Sequence, residues 1–137
     1  MSTNSGIAVK SGDKYNTIYC HWDGVPRVMY PILRDGYFTL ERALALVSFG
    51  DASSIDMRLS PRIPDAHDFS HPEEGVCVFY HRDRGDPWSD CQPITFSRSE
   101  LLDSWNGFEY IYIFEDGEWV VYHKGAPVSI NPSWVRY

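Results

Sequence analysis

The chain is short of cysteine, of long apolar runs and, through its second half, of basic side chains, and each shortage closes off a class of protein. Cys20, Cys77 and Cys91 make an odd set of three with no C-x-x-C spacing. That excludes a disulfide framework, disfavours a structural zinc knuckle, and reads as free thiols in a reducing compartment. No stretch approaches the roughly 20 apolar residues of a bilayer-spanning helix. The polar start Met1-Ser2-Thr3-Asn4-Ser5-Gly6 has neither the basic opening nor the apolar run of a signal peptide, so an intracellular protein is expected. No phosphate-gripping G-x-x-x-x-G-K-[ST], no G-x-G-x-x-G, no H-E-x-x-H and no G-x-S-x-G occurs.

Basic residues are scarcest between Asp65 and Glu118. That window holds thirteen Asp and Glu against Arg82, Arg84 and Arg98, a net −10, whereas the rest of the chain is +3. So uneven a charge repels phosphate backbones and suits a basic partner surface. It predicts no direct nucleic-acid binding, and it also fits an ordinary solvated acidic face.

What is present is apolar and aromatic. Of 137 residues, 43% are hydrophobic and 15% aromatic, enough for one real core and too much for a disordered chain. With no repeat, low-complexity tract or long linker, residues 1–137 are expected to form one compact domain. Ile7 to Lys10 and Tyr15 to Trp22 read as strands joined at Ser11-Gly12-Asp13. Thr39 caps a predicted helix that runs to Gly50, with Leu40, Ala43, Leu44 and Val47 on one face. Pro31 makes Arg27 to Arg34 an irregular short helix. Residues 51–74, with Pro61, Pro64 and Pro72, read as a long loop of the kind that is often functional.

Gly75 to His81 reads as a buried strand. Ser97 and Glu100 form a capping box, whose helix is expected to end near Trp105-Asn106-Gly107. Asp116-Gly117 between two aromatic, β-branched runs is a hairpin turn; an exposed edge on its outer strand, 118–122, would permit dimers by strand addition, but such edges are usually protected. The tail from Gly125 to Tyr137 reads as irregular, laid across the sheet by Trp134 and Tyr137. The predicted fold is α+β: a mainly antiparallel sheet of about five strands with two or three helices packed on one face.

Two segments concentrate reactive side chains, Tyr19 to Gly24 and Tyr80 to Asp86. If both are strand ends, alternation puts His21 on one face and Cys20 and Trp22 on the other, and lets His81 and Asp83 share a face. Were the strands neighbours, His21, Asp23, His81 and Asp83 would converge as an acid–base or metal constellation. His67 and His71 add a zinc-like i, i+4 spacing, which Pro64 and Pro72 weaken by crowding out a helix. A metal reading therefore rests on His21, His67 and His81. Structural pairing explains the same residues, with Arg82 or Arg84 paired to Asp83 or Asp86. A Cys20–His21 nucleophile is disfavoured, because strand neighbours point apart. Trp22, Trp88, Trp105, Trp119 and Trp134 offer stacking faces, and Trp88, in a polar loop, is the best exposed anchor.

Ile18-Tyr19-Cys20-His21-Trp22-Asp23-Gly24 followed by Pro26 resembles the opening motif of a family of small uncharacterised phage and prophage proteins. Gly50-Asp51-x-Ser53-Ser54, His67, Pro72 to Val76, Tyr80-His81-Arg82-Asp83-Arg84-Gly85 and Asp116-Gly117-x-Trp119 extend the resemblance, in order, over residues 7 to 122. The chain departs from the pattern at Val25, where such proteins carry Tyr, and at Pro31, so 25–36 has no implied role. The resemblance implies a viral protein acting in the host cytoplasm. By analogy it implies an acidic antagonist of host defence, of anti-CRISPR or anti-restriction type, that binds the basic, nucleic-acid-contacting surface of a host protein.

The binding residues expected on that reading are Asp65, Asp68, Glu73, Glu74, Asp83, Arg84, Asp86 and Trp88, with no cofactor and no membrane. The alternative is a small metal-dependent hydrolase or nucleotide-binding module. Its site would be His21, Asp23, His67, His81 and Asp83, with Arg82 or Arg84 on a phosphate. A virion component fits less well, since the chain lacks coiled-coil or repeat character.

Overall fold

The computed structural model describes residues 3–103 and 106–134. Trp105 and Tyr137, singled out above, lie outside them. Two hairpins build the centre of the sheet. In the first, β1 (Ser5–Ser11) and β2 (Lys14–Cys20) pair antiparallel with Ile7 opposite Ile18. In the second, β6 (Tyr110–Glu115) and β7 (Glu118–His123) turn at Asp116-Gly117, where both residues have positive φ (53° and 80°), as a type I′ turn requires.

The hairpins join through β1 and β6 in parallel, placing Ile7 beside Tyr112 and Val9 beside Phe114. Beyond β2 lie β3 (Ala52–Ser54) and β4 (Val78–Phe79), with β5 (Ile94–Phe96) against Tyr15 to Thr17. β8 (Ala126–Val128) closes the other side, pairing with Val121 to His123.

The sheet thus has eight strands in the order β4-β3-β2-β1-β6-β7-β8, with β5 branching from β2. Expecting about five, mainly antiparallel, strands undercounts it: the sheet is mixed, with parallel β1–β6 and β2–β3 pairs. The overlooked strands are three residues or fewer and carry no alternating pattern to read. The edge at 118–122 is half protected, because β8 forms within the tail that reads as irregular.

Helices lie on both faces, not one. α1 (Pro26–Gly36) and α2 (Leu40–Ser48) cover the face of Ile7, Val9, Ile18, Tyr112, Phe114 and Val121. On the reverse, Leu101 of α5 (Arg98–Leu101) packs on Ala8, Tyr15, Ile111 and Ile113. α1 is regular despite Pro31, because Pro26 opens it with a fixed φ and Pro31 is buried while Arg27, whose carbonyl forgoes its donor, is exposed. In α2 the buried face is Ala43, Leu46 and Val47, and Leu40 stands out in solvent. The Thr39 cap and the Ser97–Glu100 capping box are both formed. Trp134 rests against Tyr30 of α1, and its carbonyl accepts from Arg34.

Candidate functional site

The reactive segments meet where β2 runs out. His21 and Trp22 continue alongside β3, donating from their backbone to the carbonyls of Ala52 and Ser53. Asp51, just before β3, ties three elements together. Its Oδ1 accepts from the Tyr19 backbone N–H (2.8 Å), its carbonyl from the Tyr80 N–H (3.2 Å), and its N–H donates to the Cys91 carbonyl (2.8 Å). Burial holds the Asp51 carboxyl above its ordinary value, partly offset by the Tyr19 N–H.

Gly50 permits that junction. It ends α2 with φ +81°, and a Cβ there would run into the Cys91 carbonyl. Gly50→Ala is therefore expected to destabilise the protein by at least about 2 kcal/mol, adding the strain of left-handed backbone to displacement of the Cys91 backbone. Urea denaturation checks it.

Past Phe79 the chain does not stay extended. α3 (Tyr80–Arg84) begins because Asp83 Oδ2 reaches back to accept from the Phe79 N–H (2.8 Å), leaving no strand at 80–83. In a helix, residues two apart point nearly opposite ways. His81 is accordingly exposed and Asp83 inward, and the shared face expected from strand alternation does not form. α4 (Trp88–Cys91) follows and sets Trp88 against Gly50.

The histidines and aspartates read as one constellation occupy four separate environments. His21 Nδ1 meets the Tyr19 hydroxyl at 2.7 Å, and its ring stands edge-on to Trp22. His81 Nδ1 meets the Asp86 carbonyl at 2.7 Å, edge-on to Trp88. Asp23 is exposed in a left-handed turn, with φ +59°. His67 and Asp83 do meet, with side chains only 2% and 4% exposed and His67 Nε2 3.3 Å from Asp83 Oδ1.

That meeting is a structural clamp. His67 Nδ1 accepts from the Glu73 backbone N–H (2.9 Å), so the neutral ring carries its proton on Nε2, facing Asp83. Ser60 lines the same cavity, of about 360 Å³, yet with both ring nitrogens engaged His67 has none to take a hydroxyl proton. Arg82 binds both Asp83 oxygens and the Leu59 and Cys77 carbonyls, and lies over Phe49 and Phe79. It pins residues 59 to 77 onto α3. Among the described residues no three of His, Cys, Asp and Glu are grouped to hold a metal ion.

The other candidates are similarly engaged. Arg84 forks onto Asp86 (2.8 and 2.6 Å) and stacks on Tyr80 and Phe69, so a phosphate there would compete with a carboxylate already in place. Cys20 is buried with its thiol pushed up to about 12, far from a thiolate at neutral pH. The acidic window is not one free face. Glu73 accepts from Arg58 and the backbone of Arg62 and Ile63, Asp68 from His71, Glu100 from Ser97, and Glu115 pairs with Arg98. Asp65, Glu74 and Asp90 are exposed and make no ion pair among the described residues.

No family model matches the chain, and neither a curated protein nor a solved structure is significantly similar to it. Function has to be read from the surface alone. Among the described residues, no helix is long and apolar enough to cross a membrane.

Trp88 and Trp22 are exposed, at 39% and 45%, on the two sides of the Asp51 junction. Tyr19, packed against His21, and Tyr80, packed against Phe69, are half-buried; the sequence reading gave Tyr19, Tyr80 and Asp51 no role of their own and did not name Phe69. A polar residue directly after a helix-stopping glycine and before a strand was the one available signal for Asp51.

Proposed function

We propose that this chain works by binding a protein, as a phage-encoded acidic antagonist that covers a basic, nucleic-acid-contacting surface of a host defence protein. What supports this reading is one contrast. His67, Asp83, Arg82 and Arg84 are turned onto neighbouring groups, while Trp22, Trp88 and carboxylates with no ion pair among the described residues face solvent. Interfaces draw their affinity from such aromatic anchors. Phage origin and cytoplasmic action rest on the motif resemblance.

The test is twofold. Phage carrying the gene is expected to plate better on a defended host than phage lacking it, and equally well on an undefended host. In a thermal-shift screen, divalent metals and nucleotides are expected to leave the melting temperature where it was. Equal plating on both hosts would remove the antagonist reading. Stabilisation by a metal or nucleotide, abolished in both His21→Ala and His81→Ala, would replace it with an enzyme.

A further inference from the structure

We propose that the docking face of this protein is the surface carrying Trp22 and Trp88 on either side of Asp51, and that its occupant is a protein segment presenting arginine or lysine side chains. The inference rests on the binding reading above and names the place and partner chemistry for it.

The face has the composition of an interface hot spot, two tryptophans and two tyrosines with one arginine. It is also held still. The Tyr19 hydroxyl is tied to His21, Arg84 is forked onto Asp86 and lies over both Phe69 and Tyr80, and His81 is tied to the Asp86 carbonyl. Side chains already fixed in one rotamer lose little freedom when a partner arrives, so more of the contact energy survives as affinity.

Charge decides the occupant. Asp23 follows Trp22, and Asp86 and Asp90 flank Trp88 in sequence. Asp86 and Arg84 neutralise each other, so Asp23 and Asp90 are the exposed carboxylates left over beside the tryptophans. Exposed indole faces beside surplus carboxylate attract cations twice, through the ring quadrupole and through the charge. A guanidinium suits both better than an ammonium, since it stacks flat and is less strongly hydrated. A nucleic acid meets the same indoles with the wrong sign of charge.

The probe is a fluorescently labelled arginine nonapeptide, followed by anisotropy at about 150 mM salt, where contacts beyond roughly 8 Å are screened. Saturable binding is expected, weakened about tenfold in Trp22→Ala and in Trp88→Ala, as for hot-spot aromatics. Asp90→Asn is expected to weaken it about threefold and the remote Glu118→Gln to leave it unchanged. Both tryptophans are exposed, and unchanged urea midpoints confirm that the variants fold.

Equal effects of Asp90→Asn and Glu118→Gln, an absence of effect from both tryptophan variants, or tighter binding of a labelled thymidine oligonucleotide would each overturn the proposal. A plating advantage that survives both tryptophan substitutions places the docking face elsewhere and leaves the antagonist reading standing. Peptide binding at this face with no plating advantage does the reverse.

Discussion

Asp83→Ala is expected to lower the unfolding free energy by about 3–5 kcal/mol at pH 7, the usual cost of removing one partner from a buried ion pair. A domain of this size has only about 5–15 kcal/mol in all, so the variant stands close to unfolding. The carboxylate takes the Phe79 N–H, both nitrogens that Arg82 offers it, and the His67 edge. Deleting it leaves a guanidinium among carbonyls without its counter-charge and frees the start of α3. Asp83→Asn, which keeps an acceptor for Phe79, is expected to cost less.

Burial alone would raise the Asp83 pKa, but hydrogen bonds from Arg82 and Phe79, the Arg82 charge and His67 outweigh it, and the carboxyl sits below its ordinary value of 3.8. A carboxyl depressed in the folded state contributes stability that is complete above its unfolded pKa and is lost as pH falls through the folded one. Between about pH 5 and pH 2 the urea midpoint of the wild type should therefore fall more steeply than that of Asp83→Asn. Asp51 acts in the opposite sense. Its raised pKa makes the folded state hold its proton longer, so the comparison is cleanest in an Asp51→Asn background. Matching slopes would show that Asp83 adds nothing to acid sensitivity.

Trp119→Ala is expected to cost about 3–5 kcal/mol, the range for emptying a large aromatic site in a core. Trp119 is buried on β7, edge-on to Phe114, and its Nε1–H donates to the Tyr37 carbonyl at 2.8 Å. Tyr37 caps α1, and its hydroxyl donates to the Asp56 carbonyl, so the indole links the sheet, a helix end and the loop after β3. Trp119→Phe refills most of the volume but orphans the Tyr37 carbonyl, and is expected to cost about 1–3 kcal/mol, the penalty of an unpaired buried acceptor. Chemical denaturation separates the two. Amide exchange should show the C-terminal turn of α1 opening first in either variant, and a rate confined to β7 would refute the link.

What was legible in the chain beforehand was what short-range chemistry decides. Asp116-Gly117 names its own turn, Ser97 and Glu100 satisfy each other, and Thr39 caps the next helix whatever surrounds it. What stayed hidden depends on partners far along the chain. β3 exists because the end of β2 lies beside it. α3 replaces the expected strand because one aspartate folds back on Phe79, a contact that an apolar run such as Val76 to Tyr80 does not advertise. His67 and Asp83 are sixteen positions apart and looked like ligands; in place, each completes the other's hydrogen bonds. Asp51 was invisible as a hub, since its three partners come from β2, α3 and α4.

The borders of the sheet carry a consequence for how the protein behaves in a crowded cell. At one margin β4 offers only two residues, and at the other β8 is three residues long with Pro127, which has no N–H to give, at its middle. A neighbouring copy finds almost no ladder to extend at either of these strands, and the half of β7 that β8 leaves uncovered, Glu118 to Val120, presents a short one. The aromatic load that would favour stacking into fibrils therefore meets short borders, from which a growing sheet gains little.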